Sequence, residues 1–261
     1  MKKIKIKNKS FSKPLSCLTA YSPSIANILD GKIDLILVGD SLGSTLYGMT
    51  NTQGVTMDMM KKHGAAVNKI IKKSLKVLDM PYKTYENKSD AYKNAKILLN
   101  YCKPDLLKLE INKKKLVILK YLVSKKINVI SHIGVTPQSY SNFNKIKVLG
   151  KTDKEKSNLL KLAKESENLG AKAVLLECVT ADTAKLITEN ISIPTIGIGA
   201  SKYCDGQVLV FDDIINLSTN NKRPKFVKNY LNFRKIVSSA VKNYNKEVKL
   251  KKFPSIKFTY N

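Results

Sequence analysis

The stretch "LILVGDSLG", residues 35–43, poses the problem that decides the fold. Apolar residues run straight into an aspartate, and small residues follow. An ionised carboxylate at the end of a buried strand is costly unless something satisfies it. The same pattern of apolar run, polar end and helical segment recurs along the chain. Its other runs are "LSCLTA" (15–20), "LKVLDM" (75–80), "DLLKLE" (105–110), "INVISH" (127–132), "AVLLEC" (173–178), "IPTIGIG" (193–199) and "QVLVFD" (207–212). Between most of them lie segments of helical period. One, at 56–73, gathers Met59, Met60, His63, Ala66, Val67, Ile70 and Ile71 near one face. Another, at 156–173, does so with Leu159, Leu160, Leu162, Ala163 and Leu169, and Gly170 is placed to stop it. Eight strands alternating with helices predict an α/β fold, a single-domain (β/α)8 TIM barrel over residues 1–261. It would carry a short basic N-terminal segment and a C-terminal helical tail. A doubly wound open sheet would also alternate, but the strand count favours closure.

The polar residues are placed with equal regularity. Asp40, Asp79, Glu110, His132 and Glu177 each fall at or just past the end of a different run. In a barrel those ends converge on one mouth, where active sites are built. One such carboxylate is ordinarily a helix N-cap, and that is the plain reading of Asp40 alone. Several acids together repel one another strongly without a cation. Oxygen ligands suit a hard cation, which points to Mg2+ first and Mn2+ second. Lys108 stands two residues before Glu110, on the same strand face. It either neutralises the acidic mouth or grips a substrate carboxylate.

Composition excludes more than it assigns. The chain has 261 residues, enough for one large core, and no apolar run long enough to span a bilayer. Its start, "MKKIKIKNKSFSKPLS", has the charge of a signal peptide without the apolar stretch, so a cytoplasmic location is expected. The four cysteines, Cys17, Cys102, Cys178 and Cys204, are scattered and read as free thiols, and with only two histidines a zinc site is not expected. A net charge of +27 suggests nucleic acid, yet only Arg223 and Arg234 are arginines and the lysines are dispersed. The lysine excess reads as compositional drift on exposed positions. Residues 197–201, "GIGAS", are not a dinucleotide fingerprint, because Lys202 takes the final glycine position.

The motifs "LVGDSLG", "DMPY", "KLE", "SHIGVTPQS", "VLLECV", "IPTIGIGA" and "DGQVLV", in this order, resemble ketopantoate hydroxymethyltransferase. The similarity runs from "LTAY" at 18–21 through "KFVKNY" at 225–230 to the Phe-Pro pair at 253–254. It implies a (β/α)8 barrel that transfers a one-carbon unit from 5,10-methylenetetrahydrofolate to 3-methyl-2-oxobutanoate through a Mg2+-stabilised enolate, giving 2-dehydropantoate for pantothenate biosynthesis. By matching motifs, Asp40 and Asp79 are implied as Mg2+ ligands and substrate contacts, with Glu110 joining the metal shell directly or through water. Ser41 and Lys108 would bind the oxo-acid carboxylate, and Glu177 would be the catalytic base. The resemblance also implies a homo-oligomer, a decamer, with small-molecule substrates and no specific nucleic-acid or membrane partner.

Each assignment has a plainer rival. Asp79 could terminate its strand before Pro81, Glu177 could cap a helix or form an ion pair, and His132 could orient its neighbours rather than touch substrate. His63, on an apolar helical face, reads as structural. The chain departs from the family pattern at Ser22, where an aspartate is expected, at Ser201, where a glycine is expected, and at residues 111–115, where paired glycines are expected. Two other functions stay open: an isocitrate-lyase-like, Mg2+-dependent carbon–carbon lyase, and a basic nucleic-acid-binding protein.

Overall fold

A computed structural model describes residues 13–142, 146–218 and 224–260. Residues 1–12, most of the basic N-terminal segment, lie outside the described part. Eight strands form the barrel: β1 (Leu15–Thr19), β2 (Leu35–Val38), β3 (Leu75–Asp79), β4 (Leu106–Glu110), β5 (Val129–Gly134), β6 (Ala173–Glu177), β7 (Thr195–Ile198) and β8 (Gly206–Leu209). They pair in chain order, all parallel, and β8 closes on β1 with Leu15 opposite Gly206. The open-sheet alternative is thereby excluded.

Period-2 alternation fills the interior. Leu15, Cys17, Leu35, Leu37, Leu75, Val77, Leu106, Ile130, Ala173, Leu175, Ile196 and Val208 pack there as one buried apolar cluster. Around the strands run α1 (Pro23–Leu29), α2 (Leu42–Tyr47), α3 (Met57–Asn68), α4 (Lys88–Cys102), α5 (Leu116–Ser124), α6 (Asp153–Asn168) and α7 (Ala181–Asn190). Ser22, Thr56, Asn87 and Thr152 cap α1, α3, α4 and α6 by accepting the backbone N–H three residues on. Thr152 and Glu155 complete a reciprocal capping box. Ser22 thus fills the expected aspartate position with a residue that still caps.

Several boundaries differ from the sequence reading. Helix α3 ends at Asn68, and Ile71 enters the core from the turn beyond it. Strand β5 runs on to Gly134, so His132 lies inside the strand rather than at its end. Strand β8 starts one residue earlier and stops at Leu209, before Phe211 opens a helical turn. A turn, not a helix, joins β7 to β8. Here Ser201 is buried; its Oγ accepts the Tyr203 N–H and its carbonyl accepts Gln207 Nε2.

One carboxylate ties α1 to the start of β3. Asp30 accepts the backbone N–H groups of Lys72, Lys73 and Ser74 at 2.8–3.2 Å. Although burial opposes it, these bonds hold the Asp30 carboxyl below its usual range. Asp30→Ala is expected to cost about 1–3 kcal/mol in urea unfolding. Because the folded pKa is depressed, this contribution is present above the unfolded value of about 3.9 and is lost as pH falls through the folded one. The gap between the variant and the parent protein should therefore close in acid.

The chain divides into two compact units, the first ending at Val210 and the second spanning Phe211–Asn261. The second holds α8 (Phe211–Ile214) and α9 (Phe233–Lys249), the latter capped by Asn232. Beyond α9 the chain packs back on the helix, where Phe253 meets Tyr244 edge to face, 5.7 Å between centroids. Among the described residues no helix is long and apolar enough to cross a membrane.

Candidate active site

Strand parity builds the site. The interior row Val77, Leu106, Ile130 and Leu175 continues two residues later as Asp79, Lys108, His132 and Glu177. Apolar packing thus gives way to a line of charge at the C-terminal end of the barrel. Lys108 Nζ lies 2.9 Å from Asp79 Oδ1 and 3.3 Å from His132 Nδ1. His132 Nε2 lies 3.2 Å from Glu177 Oε2. Four consecutive strands therefore place acid, cation, imidazole and acid in one chain of contacts. Asp79, Lys108 and His132 are buried, while the Glu177 side chain is 19% exposed at the open end.

The protonation pattern follows from the contacts. Burial alone would push the Lys108 ammonium down, yet Asp79, Asp40 and Glu110 together hold it above its ordinary range. A charged Lys108 donates to His132 Nδ1, which leaves the His132 proton on Nε2, close to Glu177 but not aligned as a hydrogen bond. Burial, then the Lys108 charge, keeps the imidazole below its usual pKa and so neutral. Burial and the Asp40 charge, opposed by Lys108, bring Asp79 up to about 7. Glu110 is raised well above the usual carboxylate range, by burial first and Asp40 next. These acids sit where only a cation makes full ionisation comfortable.

Asp40 is joined to this row through its backbone. Its N–H donates to Asp79 Oδ2 at 3.0 Å. At Gly39 a Cβ would make ordinary contact with Asp79 Oδ2, at 3.4 Å, and a tight one with Ser41 Oγ, at 3.0 Å. The Asp40 side chain does not cap α2. Its Oδ2 instead accepts Gln138 Nε2 at 2.8 Å, which answers the plain reading of that residue. Ser41 likewise makes no side-chain cap, and its hydroxyl meets Tyr21 OH at 2.7 Å. Glu110 forms a second arm: its Oε1 accepts the Gln138 backbone N–H at 3.0 Å and stands 3.9 Å from His132 Nδ1.

Among the described residues no three His, Cys, Asp or Glu side chains converge tightly enough to hold a metal unaided. The donor set nevertheless fits a hard divalent cation. Asp79 Oδ1 is buried without an aligned hydrogen bond, and Asp40 and Asp79 offer oxygen only. Mg2+ is commonly held by one or two carboxylates, with water and substrate completing its shell.

His63 lies off the row. Its Nδ1 meets the Tyr21 carbonyl at 2.7 Å and its Nε2 meets Tyr47 OH at 3.0 Å, so it braces Tyr21. All four cysteines are free, and burial pushes the Cys102 and Cys178 thiols up to about 11. The sequence reading gave no role to Tyr21, Tyr85 or Gln138. Tyr21 and Gln138 stand inside quoted motifs, whereas Tyr85 stands in none.

A family model described as ketopantoate hydroxymethyltransferase matches residues 1–256. The chain belongs to this family. The 3-methyl-2-oxobutanoate hydroxymethyltransferase of Pelagibacter ubique (strain HTCC1062) is 47% identical over 255 residues, which cover 98% of this chain and 97% of that protein. The protein of the same name from Anaplasma marginale (strain St. Maries) is 42% identical over 247 residues, covering 95% and 88%. Among solved structures, 2,3-dimethylmalate lyase, a PEP mutase/isocitrate lyase superfamily member, superposes with a TM-score of 0.59 over 91% of this chain and 83% of that one. At 9% identity that likeness concerns the barrel alone. Membership of the ketopantoate hydroxymethyltransferase family makes the chain an enzyme, and sets aside both the lyase and the nucleic-acid alternatives.

Proposed function

We propose that the enzyme transfers a hydroxymethyl group from 5,10-methylenetetrahydrofolate to 3-methyl-2-oxobutanoate, giving 2-dehydropantoate for pantothenate biosynthesis in the cytoplasm. The observation that carries the residue roles is the contact row from Asp79 through Lys108 and His132 to Glu177. It sets a charged ammonium inside the row and a partly exposed carboxylate at its open end. Lys108 and the Ser41 hydroxyl receive the oxo-acid carboxylate. Glu177 then takes the proton from C3, and as a general base it needs to stand where C3 of the bound substrate can reach it. Its partial exposure meets that need. His132 steadies the Glu177 carboxylate from Nε2 and keeps its own proton.

Asp40 and Asp79 would hold Mg2+, with Glu110 joining directly or through water. The chemistry such an ion supplies is charge, offsetting the carboxylates and the negative charge that gathers on the 2-oxo oxygen as C3 is deprotonated. We further propose a homo-oligomer of ten copies. Within the second unit, α9 exposes Ile236, Val237, Val241, Tyr244 and Val248, which an isolated helix would leave in water.

The test is exchange. In deuterated water, 3-methyl-2-oxobutanoate should lose its C3 proton when enzyme and Mg2+ are present and folate is not. Product should appear only when methylenetetrahydrofolate is added. Product formation without any C3 exchange in the folate-free reaction would contradict the proposed order.

A further inference from the structure

We infer that Gln138 is a positioning residue for the reaction, and that Tyr85 fixes which way its amide faces. The inference rests on the reading of Asp40 and Glu110 given above. Gln138 lies in the short helical turn Pro137–Ser139 after β5, and its side chain is buried. Gly134, at φ +93°, lets the chain leave the strand, for a Cβ there would come within 2.5 Å of the Glu177 carbonyl. From this turn Gln138 reaches the ends of three other strands.

Every polar group of the residue is partnered. Its backbone N–H donates to Glu110 Oε1, and its carbonyl accepts Gln53 Nε2 at 2.9 Å. The Nε2 group spends its two hydrogens on Asp40 Oδ2 at 2.8 Å and on the Met80 carbonyl at 3.0 Å. The remaining atom, Oε1, accepts the hydroxyl of Tyr85. That hydroxyl in turn accepts the Glu110 N–H at 3.3 Å, which frees its own proton for the amide. An amide has two ends of similar shape, and its partners decide between them. Turned over, this one would set an oxygen against the Asp40 carboxylate and the Met80 carbonyl. Tyr85 opposes that.

The consequence falls on two acids at once. Gln138 takes one oxygen of Asp40 and one of Glu110, and neither acid's second oxygen has a hydrogen bond among the described residues. A neutral group thus fixes the direction of two carboxylates that would otherwise repel, and leaves each with a free oxygen for cation, water or substrate. Asn51 braces the same segment through the Ser141 carbonyl at 2.9 Å. Outer partners of ligating carboxylates typically contribute about 10–100-fold in metal affinity or activity.

The experiment compares Gln138→Met, which keeps length without the amide, with Tyr85→Phe, which keeps the ring without the hydroxyl. Asp40→Asn serves as reference. Mg2+ affinity is read by calorimetric titration of the full chain with MgCl2, beside KM and kcat for the oxo acid. Gln138→Met is expected to weaken Mg2+ binding and raise KM by about 10–100-fold, and Tyr85→Phe to shift both in the same direction by less. Normal Mg2+ affinity and KM in Gln138→Met, with both lost in Asp40→Asn, would overturn the positioning role alone. Normal values in both variants would overturn the site reading with it. Should Gln138→Met not fold, Tyr85→Phe decides, and an unchanged Mg2+ affinity there overturns the inference.

Discussion

Glu177→Gln is expected to bind Mg2+ and 3-methyl-2-oxobutanoate nearly normally while turnover falls by about 10²–10⁴-fold, the usual contribution of a positioned general base. The carboxamide keeps the shape of the side chain and the contact with His132, whose Nε2 stands 3.2 Å away. Because Glu177 is partly exposed, the change strands no buried charge. What it removes is the ability to accept a proton at the more exposed of the row's two acids. The loss should therefore appear in kcat and in C3 deuterium exchange, with little change in KM. A variant that exchanged C3 at the normal rate would move the base elsewhere. His132 would not be the natural heir, since Lys108 occupies its Nδ1 and burial, then the Lys108 charge, lowers its affinity for a proton.

The barrel was legible because its signal is repeated and local. Each strand shows a period-2 or fully apolar run, and each of the inward residues Asp79, Lys108 and Glu177 sits at a fixed offset from a core residue such as Val77, Leu106 or Leu175. Strand parity alone could place Lys108 beside Glu110. Boundaries were less legible. His132 looked like a strand end because Gly134 and Pro137 follow closely, yet β5 continues to pair with β6 as far as Gly134 opposite Glu177. The missing helix after β7 had no signal beyond a short gap between two apolar runs. Gln138 was illegible for a different reason. Its partners Asp40, Met80 and Glu110 lie 98, 58 and 28 residues away in sequence, so no window of periodicity contains them. The motif around it carried the family resemblance, but its chemistry becomes visible only when four strand ends meet.

The Asp79–Lys108 pair gives the second large effect. Both side chains are buried, in register on neighbouring strands, with 2.9 Å between Oδ1 and Nζ. Removing one member of such a pair leaves an uncompensated buried charge and typically costs about 3–5 kcal/mol, although replacing both members costs far less. Lys108→Met should accordingly lower the urea midpoint sharply in metal-free buffer, since the Asp79 carboxylate loses its nearest cation and keeps Asp40 as a neighbour. Adding Asp79→Asn to that variant should restore much of the lost stability, giving a coupling of about 0.5–3 kcal/mol by double-mutant cycle. Activity should behave oppositely. The double variant has neither the ammonium that receives the oxo-acid carboxylate nor the full oxygen donor set, so it should fold well and turn over no faster than Lys108→Met. Stability and catalysis would then part company within one pair of residues. If the two substitutions were simply additive in stability, the ion pair would not be the interaction that holds these strand ends together. If the double variant regained turnover, Lys108 would be neutralising the mouth and not gripping substrate.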